Sequence, residues 1–134
     1  MMLMKNKTFL IIDDYEVMIQ IIITNLVTLG ANRDNILKAS NGVEALKALK
    51  QHDFDLVISD WNMPVMNGLE LLKAIREDAT LCRTSVMMIT GEAESKILRK
   101  VVEVGIDSLL LKPFSLASFS EKIELGLNAR QPRG

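Results

Sequence analysis

Five short apolar runs recur along the chain: Thr8 to Ile12, Ile36 to Ala39, Leu56 to Ser59, Val86 to Ile89 and Ser108 to Leu111. They are separated by longer segments in which apolar residues return at helical spacing. A strand covered on both faces is apolar throughout, whereas a strand with one wet face alternates. Continuous runs alternating with helical segments therefore predict repeated βα units around one parallel sheet, an α/β architecture.

The helical segments show their inward faces by periodicity. Gly42 to Gln51 sets Val43, Leu46 and Leu49 on one side, and Leu69 to Glu77 does the same with Leu69, Leu72 and Ile75. Ala93 to Val104 and Leu116 to Ala129 read as two more helices. The last has Leu116, Phe119, Ile123 and Leu127 inward and Ser115 as its N-cap. The segment EVMIQIIITNLV, from Glu16, is rich in β-branched residues and has some strand character. Its twelve residues are long for a strand, however, Met18, Ile22, Leu26 and Leu29 hold helical spacing, and Gly30 suits a C-cap. Ile19, Ile23 and Val27 stack beside that face. They imply a broad buried stripe or, as the alternative, an exposed partner or dimer surface.

Composition narrows the class. The 134 residues suit one domain, with no room after the last helix for an attached output domain. Sixteen basic and seventeen acidic side chains leave a net charge of -1, which argues against a nucleic-acid footprint and a polybasic membrane anchor. No apolar stretch approaches the length of a membrane span, and the N-terminal one, Phe9 to Ile12, is too short for a signal peptide. A lone Cys82 fits a reducing compartment. These features together imply a soluble, cytoplasmic protein. Met87 and Met88 read as core and His52 as a solvated or capping residue.

The chemistry lies just past the strands. Open α/β sheets bind ligands at the carboxyl ends of their strands. There the first strand ends in Asp13 and Asp14, the third in Asp60, the fourth in Thr90 and the fifth in Lys112, with Pro113 after it. Singly, each has an ordinary reading as a turn, cap or surface residue. Jointly, three carboxylates, a hydroxyl and an ammonium meet at one rim. Clustered acids stay ionised only beside a compensating cation, and oxygen donors suit a hard divalent ion such as Mg²⁺. Lys112 adds a charge and Thr90 a hydroxyl for a phosphoryl oxygen, and an aspartate such as Asp60 can carry an acyl phosphate.

The stretches FLIIDD, VISDWNMPVMNGLELL, MMITGEAE and LLLKPF resemble the receiver domain of two-component response regulators, of the single-domain, chemotaxis (CheY-like) type. The resemblance runs from about Thr8 to Ala129. It implies a doubly wound, flavodoxin-like fold of five parallel strands in the order 2-1-3-4-5 with five helices. It further implies Asp60 as phosphoacceptor and Mg²⁺ held by Asp14, Asp60 and the Asn62 backbone carbonyl, with Asp13 assisting through water. Thr90 and Lys112 would bind the phosphoryl group, and the Lys112–Pro113 bond would be cis, which aims Lys112 inward. Pro64 and Gly68 would shape the loop after Asp60, and Gly91 would leave space beside Thr90. Asn62 and Glu92 would tune the phosphoryl lifetime. The implied partners are a histidine kinase as donor and a downstream effector engaged through the fourth helix, fifth strand and fifth helix, with the protein itself a monomer and not a turnover enzyme.

Leu109 departs from the pattern. An aromatic residue that changes rotamer on activation is usual in chemotaxis members at that position, so the aromatic switch cannot operate in its usual form. Two other readings compete. A haloacid-dehalogenase-type phosphohydrolase would need an acid two residues after the nucleophile, where this chain has Asn62. A receiver-like binding module that has lost phosphorylation would keep the fold but need not keep all five site residues.

Overall fold

The computed structural model describes residues 4–91 and 95–130. The strands are β1 (Phe9–Ile12), β2 (Ile36–Ala39), β3 (Leu56–Asp60), β4 (Val86–Thr90) and β5 (Ser108–Leu111). The helices are α1 (Glu16–Thr28), α2 (Gly42–Gln51), α3 (Gly68–Glu77), α4 (Ser95–Val104) and α5 (Leu116–Ala129). All four strand pairings are parallel and the order is β2-β1-β3-β4-β5. The chain winds outward in both directions from β1 and β3, which makes their carboxyl ends the topological switch point.

Side chains alternate across the sheet, so each central strand feeds two cores. Phe9, Ile11, Leu56, Ile58, Met87 and Ile89 pack against Ile22 and Leu26 of α1 and Phe119 and Ile123 of α5. Leu10, Ile12, Val57, Val86 and Met88 pack against Leu49 of α2, Leu72 and Ile75 of α3 and Val101 of α4. Burial of each such side chain contributes about 1.5–3 kcal/mol. Because both faces are covered, β1, β3 and β4 show no polar alternation.

The helix ends follow their local chemistry. In α1 the Ala31 N–H donates to Leu26 O at 2.9 Å and the Gly30 N–H to Val27 O at 3.0 Å, with Gly30 at φ 107°. This is a Schellman closure, and its positive φ favours glycine. Asn67 and Glu70 form a capping box on α3, and Ser115 with Ser118 forms one on α5. His52 is the C-cap of α2, with its ring edge-on to Phe54.

Three helix-face assignments change. Val43 and Leu116 are exposed rather than inward. Both lie in first turns; in α2 the buried first-turn residue is Gly42, packed under Met66. In α1 Ile19 and Ile23 are buried, as the broad stripe required, whereas Val27 is exposed. Among the described residues, no helix is long and apolar enough to cross a membrane.

Candidate functional site

Sheet register builds the rim. Ile12 pairs with Ser59, so the next residues, Asp13 and Asp60, stand side by side at the ends of β1 and β3. Asp60 is level with Ile89 of β4, and the Lys112 N–H donates to the Thr90 carbonyl at 2.9 Å. Thr90 and Lys112 therefore take the next two places along the rim. The bond after Lys112 is cis.

One carboxylate oxygen from each of Asp13, Asp14 and Asp60 lies within 4.8 Å of the others. Asp13 is 2% and Asp60 9% exposed, whereas Asp14 faces solvent. Burial pushes the Asp13 carboxyl up to about 6 from 3.8. The Tyr15 N–H, donating to Asp13 Oδ1 at 2.9 Å, and Lys112 oppose the rise, while the like charges of Asp60 and Asp14 add to it. Burial also raises Asp60, against the opposing charge of Lys112 and the backbone N–H groups of Asn62 and Trp61. Lys112 Nζ donates to Asp60 Oδ1 at 3.4 Å.

This donor set fits Mg²⁺. It is all oxygen, two of the carboxylates are held above their ordinary proton affinity by burial, so a cation among them would favour their ionised forms, and the third lies open to solvent, where water ligands are available.

The backbone that carries Asp60 is held closely. Ser59 Oγ donates to the Asp60 carbonyl at 2.9 Å, and the Gly68 N–H donates to the Trp61 carbonyl at 2.8 Å. A Cβ on Gly68 would lie 2.7 Å from the Asp60 carbonyl oxygen and 3.0 Å from Trp61 Cα. The loop between them turns at Val65 (φ 69°), where the Met66 N–H donates to the Pro64 carbonyl at 2.7 Å. A Cβ on Gly91 would meet no heavy atom within 4 Å among the described residues, so the backbone beside Thr90 borders open space.

The structure thus brings together Asp13, Asp14, Asp60, Thr90 and Lys112. Asn62 is exposed on the loop after Asp60. Leu109 is half-buried and packs on the α2–α4 side of the sheet, as does Trp61. Glu92 lies outside the described residues. Sequence reasoning missed the Tyr15 N–H and Ser59 Oγ, and no spacing signal could have found them, because one is a backbone group and the other a core hydroxyl.

The family model for the response regulator receiver domain matches residues 9–124. The chain belongs to the response regulator receiver family. It is 42% identical over 120 residues to chemotaxis protein CheY-3 of Vibrio cholerae serotype O1, covering 90% of this chain and 91% of that one. To chemotaxis protein CheY of Pseudomonas aeruginosa it is 38% identical over 115 residues, covering 86% and 91%. The solved structure of chemotaxis response regulator CheY4 of Vibrio cholerae matches with a TM-score of 0.79 at 30% identity, covering 88% of this chain and 96% of that one. The signal receiver domain of a Syntrophus aciditrophicus signal transduction histidine kinase gives 0.83 at 23% identity, covering 96% and 95%, a likeness of fold. This chain is therefore a receiver domain of the two-component type.

Proposed function

We propose that Asp60 accepts a phosphoryl group from a phosphohistidine of a partner histidine kinase and that the phosphorylated form has altered affinity for a downstream protein. The observation that carries this reading is a largely buried carboxylate with an ammonium 3.4 Å away, inside a cluster of three acids. A carboxylate oxygen of Asp60 attacks phosphorus; the P–O bond forms as the donor's P–N bond breaks, and the electron pair leaves on the imidazole nitrogen. With a proton on its other ring nitrogen the donor departs as a neutral imidazole, and the product on this chain is an acyl phosphate at Asp60. The protein is a stoichiometric acceptor rather than an enzyme acting on many substrate molecules.

Asp14, Asp60 and the Asn62 carbonyl would hold Mg²⁺, with Asp13 assisting through water. The ion would supply positive charge against the carboxylates and the incoming phosphoryl oxygens. Lys112, now paired with Asp60, and the Thr90 hydroxyl would receive those oxygens after transfer. Asn62 and Glu92 lie two residues beyond Asp60 and Thr90 in sequence and would govern access of the attacking water. The downstream partner would read α4, β5 and α5, with Leu109 replacing a rotating ring by a packed aliphatic side chain. The names of the relatives favour a chemotaxis output.

Incubation with acetyl phosphate and Mg²⁺ tests this, read by intact-mass spectrometry. One phosphoryl adduct is expected on the wild type and none on Asp60→Asn. An adduct that survives in the variant would move the acceptor elsewhere, and none in either protein would favour a passive binding module.

A further inference from the structure

At the opposite end of the sheet from Asp60, three charged side chains form a cluster that the receiver site does not use. Asp107, 7% exposed, begins the turn into β5. It accepts from Arg76 Nη2 of α3 at 2.8 Å and from Arg130 Nε, just after α5, at 2.9 and 3.1 Å. It also exchanges bonds with β4: the Val86 N–H donates to Asp107 Oδ2 at 2.8 Å, and the Asp107 N–H donates to the Val86 carbonyl at 2.9 Å. Both guanidinium groups reach past the carboxylate to the carbonyl of Gly105, Arg76 at 3.0 Å and Arg130 at 3.5 Å. Gly105 sits at φ 112° and closes α4, its own N–H and that of Ile106 both donating to Val101 O at 3.0 Å. Arg76 Nη1 also donates to the carbonyls of Thr84 and Cys82.

This one cluster therefore joins the ends of α3, α4 and α5 to the starts of β4 and β5. Among the described residues every group in it is satisfied by charge or hydrogen bond, so movement of the α4 end would take the Gly105 carbonyl from the Arg76 guanidinium, whose side chain is 11% exposed. The other end of α4 comes after Thr90 and Gly91 and has the phosphoryl site as its neighbour in the chain.

We infer that the Arg76–Asp107–Arg130 cluster is a fixed pivot: a rearrangement begun at Asp60 moves the α4 end next to Thr90 and stops at Gly105. The inference rests on the proposed phosphorylation of Asp60. Its consequence is that β5 and the α5 terminus keep their places while the α4 surface shifts against them.

Arg130 is the arm to remove, because it is partly exposed and Asp107 keeps Arg76 and the Val86 N–H without it. Amide hydrogen exchange, read by mass spectrometry, would compare free protein with protein in Mg²⁺ and beryllofluoride, a phosphoryl mimic. In the wild type, beryllofluoride should change exchange in peptides covering 87–100 and leave 103–109 unchanged. In Arg130→Gln, exchange over 103–109 should rise about tenfold in the free protein, and the beryllofluoride response should spread into those residues. Arg130→Lys, which keeps the charge but loses the planar fork, should fall between the two. A wild-type response of equal size at both ends of α4, or an Arg130→Gln protein whose 103–109 segment exchanges as in the wild type, would overturn the pivot. Failure of the Asp60 reading looks different: beryllofluoride would then alter no segment, while Arg130→Gln would still loosen 103–109.

Discussion

Lys112 Nζ lies 3.4 Å from Asp60 Oδ1, and this pair spans 52 positions of sequence. It is the contact through which β5 reaches the end of β3. Lys112 supplies the chief opposing charge to the burial that raises the Asp60 carboxyl, so the two residues form one electrostatic unit. Removing the ammonium as Lys112→Met would push Asp60 further up and strip a cation from the charge that develops on phosphoryl oxygens. Phosphorylation by acetyl phosphate should slow by about a hundredfold or more with the fold intact, as stopped time courses by mass spectrometry would show. A rate within about twofold of wild type would remove Lys112 from the site.

The raised Asp13 carboxyl makes stability depend on pH. Its folded value of about 6 lies above the unfolded 3.8, so the folded state binds this proton more tightly. That contribution is fully present below about pH 4 and is lost as pH rises through 6, costing the metal-free protein roughly 3 kcal/mol from this group. Asp60, shifted in the same direction, adds to the loss. Thermal unfolding without Mg²⁺ should therefore show Asp13→Asn overtaking the wild type as pH rises from 4 to 7. Saturating Mg²⁺ should narrow the gap, because a cation does the work of the proton. A wild-type Tm that tracks the variant across this range would contradict the assignment.

Gly68 is fixed by the approach of the Asp60 carbonyl, 2.7 Å from where a Cβ would sit. Backbone cannot yield there as a flexible side chain would. Gly68→Ala should cost about 1–3 kcal/mol of stability and slow phosphorylation, because the segment that must shift carries the acceptor. Denaturant midpoints and labelling rates on the same sample would check both effects. The neighbouring Gly42 offers a contrast, since its close neighbour is the Met66 side chain.

Val65 holds φ 69° with a β-branched side chain that is 79% exposed. The turn strains it, and the side chain recovers nothing by packing. Val65→Asn, which tolerates the left-handed region, should stabilise the protein by about 1 kcal/mol without altering the phosphorylation rate. Equilibrium unfolding that leaves the variant no more stable than wild type would mean the loop relaxes at no cost.

The sheet was legible because a strand covered on both faces must be apolar, and the five runs each matched one strand. The apolar rule ended β3 and β4 one residue early, at Ser59 and Ile89. Backbone pairing continues through Asp60 and Thr90, and hydrophobicity cannot register a ladder bond. Val43 and Leu116 fall outside their expected faces for a related reason: spacing fixes which residues share a face but not how the first turn meets its neighbour. The site itself was legible because strand ends at a switch point converge by topology. The Arg76–Asp107–Arg130 cluster was not, since its members lie 31 and 23 positions apart and each charge alone reads as a solvated surface residue.

Three acids share one rim, and everything proposed for Asp60 depends on a cation binding among them. Isothermal titration calorimetry with MgCl₂ at pH 6 in two buffers of different ionisation heat tests it most directly. One ion per chain should bind, with a buffer-dependent enthalpy from the proton displaced at Asp13. Affinity should weaken about tenfold or more in Asp14→Asn. Absence of binding heat in both buffers, or an affinity that Asp14→Asn and Asp60→Asn both leave unchanged, would contradict it.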